Sequence, residues 1–325
     1  MNVLYASNDG YAALLGVSLY SLLANNKDVK DVNIFIFSNG ISESNINRLK
    51  DMADKFERKI FFVNISDLEE RIGFPINSCG YNITTFARLF IDDLLPADIE
   101  KILYLDSDII IRNSLEKLWE TDIEDAYMAA VVEVYMPESK KKIIGLDKND
   151  PYYNAGMLLI NRKLWSEEKL KKKFLEYYKL MRGELLYNDQ DIINHCCKGH
   201  VKSVSPIYNF EPNVYYFPYK YMKKVNSQYF TEGEAAYKTM IENPVMIHFL
   251  GDERPWVKGN KNPYRQTFYD YVELSGWKDI TWIEDKKMYM YMYHWLNLIT
   301  KVCPKLRTVV TNIIGINKFK WFGKK

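Results

Sequence analysis

The period of the hydrophobic positions changes repeatedly along this chain. Asn2 to Ala6 is a short β-like run, and Ala12 to Ala24 carries apolar residues at helical spacing. Val32 to Phe37 reads as a strand, Glu43 to Phe56 as a helix, and Lys59 to Val63 as a strand again. Thr84 to Leu89 has helical spacing, Ile102 to Leu105 and Ala126 to Val134 are strand-like, and Met157 to Asn161 and Val245 to Phe249 complete the series. Strands and helices alternating at this pace predict an α/β fold with a mostly parallel central sheet flanked by helices and joined by right-handed crossovers. Ligands of such sheets bind beyond the carboxyl ends of the strands, where polar residues gather.

One strand ends against its own pattern. ILYLDSDIIIRNSL, residues 102 to 115, sets Asp106 and Asp108 inside an otherwise apolar run. A buried, unpaired carboxylate costs several kcal/mol, so something must compensate these two. In a strand, residues i and i+2 point to one face, so Asp106 and Asp108 project together while Ser107 faces away. Two carboxylates aimed at one point suit a hard cation such as Mg²⁺ or Mn²⁺, whereas two solvated acids at a strand end would suit none. The spacing alone is weak. Asp189-Gln190-Asp191 repeats it in a helical context, where i and i+2 diverge by about 200°.

Downstream, PVMIHFLGDERPW, residues 244 to 256, puts His248 at a strand end before a glycine turn and Arg254. An imidazole beside two carboxylates favours Mn²⁺ over Mg²⁺, although a lone histidine there also serves as a polar cap. HCCKGH, residues 195 to 200, is no zinc site on a helix, because consecutive side chains splay by about 100°.

Composition narrows the class. The 325 residues, 47% hydrophobic and 26% charged, describe a globular protein with one large domain or two small ones. Its 25 Tyr, 16 Phe and 7 Trp suit clefts that stack rings or sugars, and they also fill cores. Cys79, Cys196, Cys197 and Cys303 form no disulfide framework, which points to a reducing compartment. The N-terminus reads as strand, turn and helix, not as a signal peptide, and no apolar window is long enough to span a bilayer. A cytoplasmic location follows as the expectation. The formal net charge of +2 hides an asymmetry: nine of the 44 Lys and Arg, and no Asp or Glu, lie from Lys286 to Lys325. The remainder, 35 basic against 42 acidic residues, carries a net of −7, which argues against nucleic-acid binding.

Six blocks in order resemble glycosyltransferase family 8, the retaining GT-A-fold group that includes glycogenin and bacterial galactosyl- and glucosyltransferases of lipopolysaccharide cores. They are MNVLYASNDGYAALLGVSLYSLL, TTFARLFIDDLLP, KILYLDSDIIIRNSLEKLW, YYNAGMLLINRKLW, YNDQDIIN and HFLGDERPW. The resemblance implies a catalytic domain at 1–283 and leaves 284–325 as a basic, aromatic, amphipathic helical tail.

It also implies roles residue by residue. Asp106 and Asp108 match the family's manganese aspartates and His248 its third protein ligand, with Mg²⁺ as a substitute ion. The turn with Ala6, Asn8, Asp9, Gly10 and Tyr11 matches the uridine loop, where Asn8 stands for an acid and Gly10 for a polar residue. Arg88, Ser107, Asn154, Ala155, Gly156, Asp189 and Gln190 match positions around the donor, and Gly251 and Arg254 match the loop over the diphosphate. Arginine at 254, in place of the usual lysine, keeps the charge and can grip phosphate bidentately. The implied donor is UDP-galactose or UDP-glucose, and the acceptor a saccharide or a lipid-linked saccharide. Gln190 matches the residue nearest the reacting face, with Asp189 or Asp191 as alternative nucleophiles. Each position also has a plainer reading: Arg88 could pair with a core acid, Asn154 to Gly156 could be a tight turn, and Asp189 could cap a helix.

Two rival classes place different demands on the sequence. A catalytically silent sugar-nucleotide or glycan binder would lack a metal or clamp residue, and none is lacking. A nucleotidyltransferase would want a basic glycine-rich loop, and SNDGYAALLG has no Lys or Arg. In the tail, Pro304 and Gly315 bracket a second helix with Val302, Leu306, Val309 and Ile313 on one face and Lys301, Lys305 and Asn312 on another. Lys318, Lys320, Trp321, Phe322, Lys324 and Lys325 follow. Such a segment predicts docking on an anionic membrane at the inner face of the cytoplasmic membrane, or else an arm on the body or on a second subunit. Dispensability for donor hydrolysis after residue 285 is the matching expectation.

Overall fold

The structure is a computed structural model that describes residues 1–74, 83–307 and 309–310. Cys79, Asn312, Ile313, Gly315 and residues 318–325 of the expected tail lie outside the described residues.

A seven-stranded sheet runs β3-β2-β1-β4-β7-β6-β8, built from β1 (Asn2–Asn8), β2 (Asn33–Asn39), β3 (Lys59–Asn64), β4 (Lys101–Leu105), β6 (Met128–Val132), β7 (Tyr153–Asn161) and β8 (Val201–Ser203). The pairs β3/β2, β2/β1, β1/β4 and β6/β8 are parallel, while β7 runs antiparallel to both its neighbours. The sheet is therefore mostly parallel, as expected. Both faces of its centre are buried. Val3, Tyr5, Leu103 and Leu105 join one core cluster, and Leu4, Ile102 and Tyr104 join the other. That is why these strands read as continuous apolar runs rather than as alternation.

A second, two-stranded sheet positions the site. β5 (Ile109–Ile111) pairs antiparallel with β9 (Met246–His248), in a register that sets Ile109 against His248. Neither β5 nor β8 was expected, since three residues are too short to show a period. β7 starts at Tyr153, so Asn154, Ala155 and Gly156 lie inside a strand rather than in a tight turn before one. The segment Ala126 to Val134 shortens to Met128–Val132, and Thr84 to Leu89 becomes a 3-10 helix, Ile83–Phe90.

The C-terminal helix Lys287–Thr300 packs one face on the body, burying Met290, Tyr293, His294, Asn297 and Thr300. The main-chain N–H of Lys261 donates to His294 Nε2 at 2.7 Å, so that ring must be neutral, in line with burial drawing its pKa down to about 4. The opposite face carries Met288, Met292, Trp295 and Leu298, each more than 60% exposed, followed by Val302 at 89%. After a break at Cys303, residues 304–307 are helical again. No helix among the described residues is long and apolar enough to cross a membrane.

Candidate active site

β4 delivers Asp106 to the carboxyl edge of the sheet, but the strand stops there. The Asp106 N–H donates to Gly156 O at 2.8 Å and Ile109 N–H to Asp106 O at 3.3 Å, closing a turn through Ser107 and Asp108. The two carboxylates converge because the chain bends, not because of a strand pleat. Ser107 does not point away: it is 8% exposed, lines the cavity, and its buried hydroxyl has no hydrogen-bond partner among the described residues.

Opposite the turn, β9 holds His248. Its Nε2 lies 3.2 Å from Asp108 Oδ1 and 3.8 Å from Asp106 Oδ2, and ligand atoms of the three residues all fall within 4.8 Å of one another. Asn209 Nδ2 donates to Asn154 Oδ1 at 2.8 Å, which turns the Asn209 carbonyl toward His248. His248 Nδ1–H therefore donates to Asn209 Oδ1 at 3.0 Å, leaving Nε2 to face the two aspartates. A ligand ring oriented by its second nitrogen is the usual support of a metal site. Gly156 completes the seat, since a Cβ there would fall 2.2 Å from His248 Cε1. Two carboxylates and one free imidazole nitrogen form a donor set that fits Mn²⁺ or Mg²⁺.

Arg88 is the cation shown to compensate Asp106. Only 3% exposed, it places Nη2 2.9 Å from Asp106 Oδ1 and Nε 3.1 Å from Asp189 Oδ2, with its guanidinium 4.1 Å over the Tyr104 ring. Its Nε–H also donates to the Thr85 carbonyl at 3.0 Å, and Nη1 donates to the Ala155 carbonyl. The pairing with core acids thus holds, and Arg88 lines the cavity as well. Burial lifts the Asp189 carboxyl to about 6, with Arg88 pulling the other way. Burial would also raise Asp108, yet His248 and Arg254 outweigh it and hold its carboxyl below the usual range. Burial presses the His248 pKa down, but Asp108 and Asp106 more than offset this and raise it.

These side chains line one cavity of about 950 Å³. It takes in Ala6, Asn8 and Tyr11 from the first turn and Asn154, Ala155 and Gly156 from β7. Asp189, Gln190, Gly251 and Arg254 border it too. Asn8 Oδ1 accepts from the Tyr11 N–H at 3.1 Å, so its amide NH₂ is the end left for a ligand. Tyr11 is 39% exposed. Asp9 and Gly10 do not line the cavity; Asp9 Oδ1 accepts from Ser42 N and Asn45 Nδ2, both at 2.8 Å. Asp191 is 2% exposed and also off the cavity. Its Oδ1 accepts from Tyr152 Oη at 2.6 Å and its Oδ2 from the N–H groups of Leu186 and Tyr187. Gln190 accepts from Ala155 N at 2.9 Å and donates to Tyr152 Oη at 3.2 Å. Arg254 Nη2 lies 3.9 Å from Asp108 Oδ2, and its buried Nε–H has no partner among the described residues. A guanidinium with a spare buried donor at the cavity is poised for an anion.

Sequence reasoning missed Glu133, which follows β6 directly at the cavity and accepts from Asn154 Nδ2 at 2.9 Å. An acid closing an apolar strand was the signal, the same one that marked Asp106. For Asn209 there was no signal. His195 is accounted for without metal, with Nδ1 2.6 Å from Ile144 O and its ring stacked on Tyr177.

Comparison with known proteins gives the site a context. The family model described as "Glycosyl transferase family 8" matches residues 2–259. The chain is 28% identical over 283 residues to a lipopolysaccharide 1,2-glucosyltransferase of Escherichia coli, spanning 86% of this chain and 80% of that protein. It is 25% identical over 287 residues to a lipopolysaccharide 1,3-galactosyltransferase of Salmonella typhimurium, spanning 85% and 79%. With one Haemophilus influenzae protein the identity is 34% over 215 residues, but the match spans only 64% of that protein. Among solved structures, the galactosyltransferase LgtC in complex with donor and acceptor sugar analogs superposes with a TM-score of 0.69 at 30% identity, over 88% of this chain and 99% of that one.

Proposed function

The chain belongs to glycosyltransferase family 8 and is an enzyme of the GT-A fold, and we propose that it moves galactose or glucose, with retention, from a UDP-sugar to a saccharide or lipid-linked saccharide in bacterial surface-glycan synthesis. The observation that carries this reading is the approach of Asp106, Asp108 and His248 to within 4.8 Å, in a cavity shared with Arg254 and Tyr11. The names of the Escherichia coli and Salmonella relatives support the sugar and the glycan.

Asp106, Asp108 and His248 would hold a divalent ion, best Mn²⁺. When bound, that ion supplies positive charge to the donor diphosphate, whose leaving ability rises as its charge is neutralised. Arg254 adds a fixed guanidinium for the same anion, and Tyr11 offers a ring face to uracil beside the Asn8 amide. The anomeric C1–O bond breaks toward UDP, and the acceptor hydroxyl oxygen bonds to C1 on the same face. Its proton passes to the departing β-phosphate oxygen. Gln190 stabilises the oxocarbenium-like state without bonding to it, an amide being a poor nucleophile. The commitment of both Asp191 oxygens within the scaffold and of Asp189 to Arg88 favours this route over a covalent sugar ester.

The basic, aromatic C-terminal segment is proposed to rest on an anionic membrane surface, which suits a lipid-linked acceptor. A panel of UDP-sugars assayed for UDP release and transfer in Mn²⁺ tests the whole reading. Turnover of UDP-galactose or UDP-glucose is expected, and failure with every UDP-sugar, alongside turnover of another nucleotide sugar, would replace the donor assignment.

A further inference from the structure

The C-terminal helix does more than cover the body. Tyr289 Oη donates to Asp252 Oδ2 at 2.7 Å, and Tyr293 Oη donates to Glu253 Oε1. Both acceptors sit in the turn Gly251–Glu253, which leads directly into Arg254. Glu253 is 2% exposed and its Oε2 has no hydrogen-bond partner among the described residues. Past the break at Cys303, the chain returns to the same place: Arg307 lays its guanidinium 4.5 Å over the Tyr293 ring. Tyr293 and Arg307 line the cavity that holds Asp108, His248 and Arg254. Among the described residues Arg307 forms no ion pair and donates no hydrogen bond, so a ring face holds a charge whose donors remain free.

We propose that Arg307 is a second guanidinium for the phosphate groups of the nucleotide donor, seated by Tyr293 on Glu253, so that the donor site is complete only with the C-terminal segment docked. The inference rests on the reading of the cavity as a nucleoside diphosphate site. The end of the cavity follows from connectivity. Glu253, which anchors Tyr293, is the chain neighbour of Arg254, and Arg254 sits 3.9 Å from Asp108. A planar fork of donors beside a metal cluster matches a diphosphate better than it matches a sugar, whose hydroxyls carry no charge.

Calorimetric titration of the full chain in Mn²⁺ with UDP and, separately, with uridine tests this. Arg307→Ala is expected to weaken UDP binding about tenfold or more, the range for loss of one charge-assisted hydrogen bond. Uridine binding should be unchanged, and Arg307→Lys should recover part of the UDP affinity. Unchanged UDP affinity in Arg307→Ala would overturn the proposal. Equal weakening of UDP and uridine with a lowered melting temperature would also overturn it, making Arg307 a packing residue. If the native chain binds no UDP in Mn²⁺, the donor assignment itself fails, an outcome distinct from either.

Discussion

Gly156 positions His248 by what it lacks. With 2.2 Å between a notional Cβ and His248 Cε1, alanine cannot fit unless the ring swings off Asn209. Gly156→Ala is therefore expected to raise the Mn²⁺ concentration for half-maximal activity by roughly tenfold or more, the cost of disturbing the hydrogen bond that orients a metal-binding imidazole. Metal titration of the activity checks this, and an unchanged requirement would mean that His248 is not a ligand. Gln190 sits differently, because its carbonyl already serves Ala155 N and its NH₂ serves Tyr152. Gln190→Ala is expected to lower kcat by about ten- to a hundredfold without abolishing turnover, as for loss of a stabilising rather than a bond-forming group. A sugar ester on Asp189 or Asp191, detected by mass spectrometry of the trapped native enzyme, would overturn the same-face route.

The turn Gly251–Glu253 and the C-terminal helix act as a unit, and the link between them is sensitive to pH. Burial lifts the Glu253 carboxyl from its ordinary 4.5 to about 7, with the Tyr293 hydrogen bond and the Arg307 charge opposing and Asp252 adding to the rise. An acid raised in the folded state is most compatible with folding while protonated. Its contribution is full below about 4.5 and is lost as pH rises toward about 7, amounting to about 3 kcal/mol at most. Glu253→Gln keeps a neutral amide there, so its melting temperature is expected to fall less than that of the native chain between pH 5 and pH 8. Parallel pH profiles of the two melting temperatures would refute the link. None of this was legible in the sequence. Asp252 and Glu253 stand in a short polar turn sequence, and no pattern ties residue 253 to residue 293. The strands around Asp106, Asp108 and His248 were legible because parallel strands buried on both faces are uninterrupted apolar runs, in which Asp106 stands out. β5 escaped notice because its three isoleucines continue the same run, and with it went the turn that actually converges the two aspartates. Asn209 and Glu133 depend on long-range contacts to residues 248 and 154, which local periodicity cannot carry.

Across the whole molecule, the division at 283/284 separates two compositions, yet the cavity draws on both sides of it. Dispensability of the tail does not fit the packing: removing residues after 285 takes away Tyr293 and Arg307 and uncovers Val257, which clusters with Met290 and Tyr293. The outward face tests membrane docking more cleanly. Trp295 and Leu298, 66% and 64% exposed, can become Glu without disturbing the buried face. Trp295→Glu with Leu298→Glu is expected to reduce sedimentation with anionic liposomes at low salt while leaving UDP-sugar hydrolysis intact. Equal liposome binding by the native and double-variant chains would remove this face from the docking surface.

The central claim, that Asp106, Asp108 and His248 bring a divalent ion to a UDP-sugar, is met most directly by measuring UDP release as a function of metal. The full chain should turn over its UDP-sugar in Mn²⁺, lose that activity in EDTA and regain it on Mn²⁺ addition. Asp108→Ala, still folded by its melting curve, should stay inactive at every Mn²⁺ concentration. Full activity of the native chain in EDTA, or of Asp108→Ala in Mn²⁺, would contradict the account.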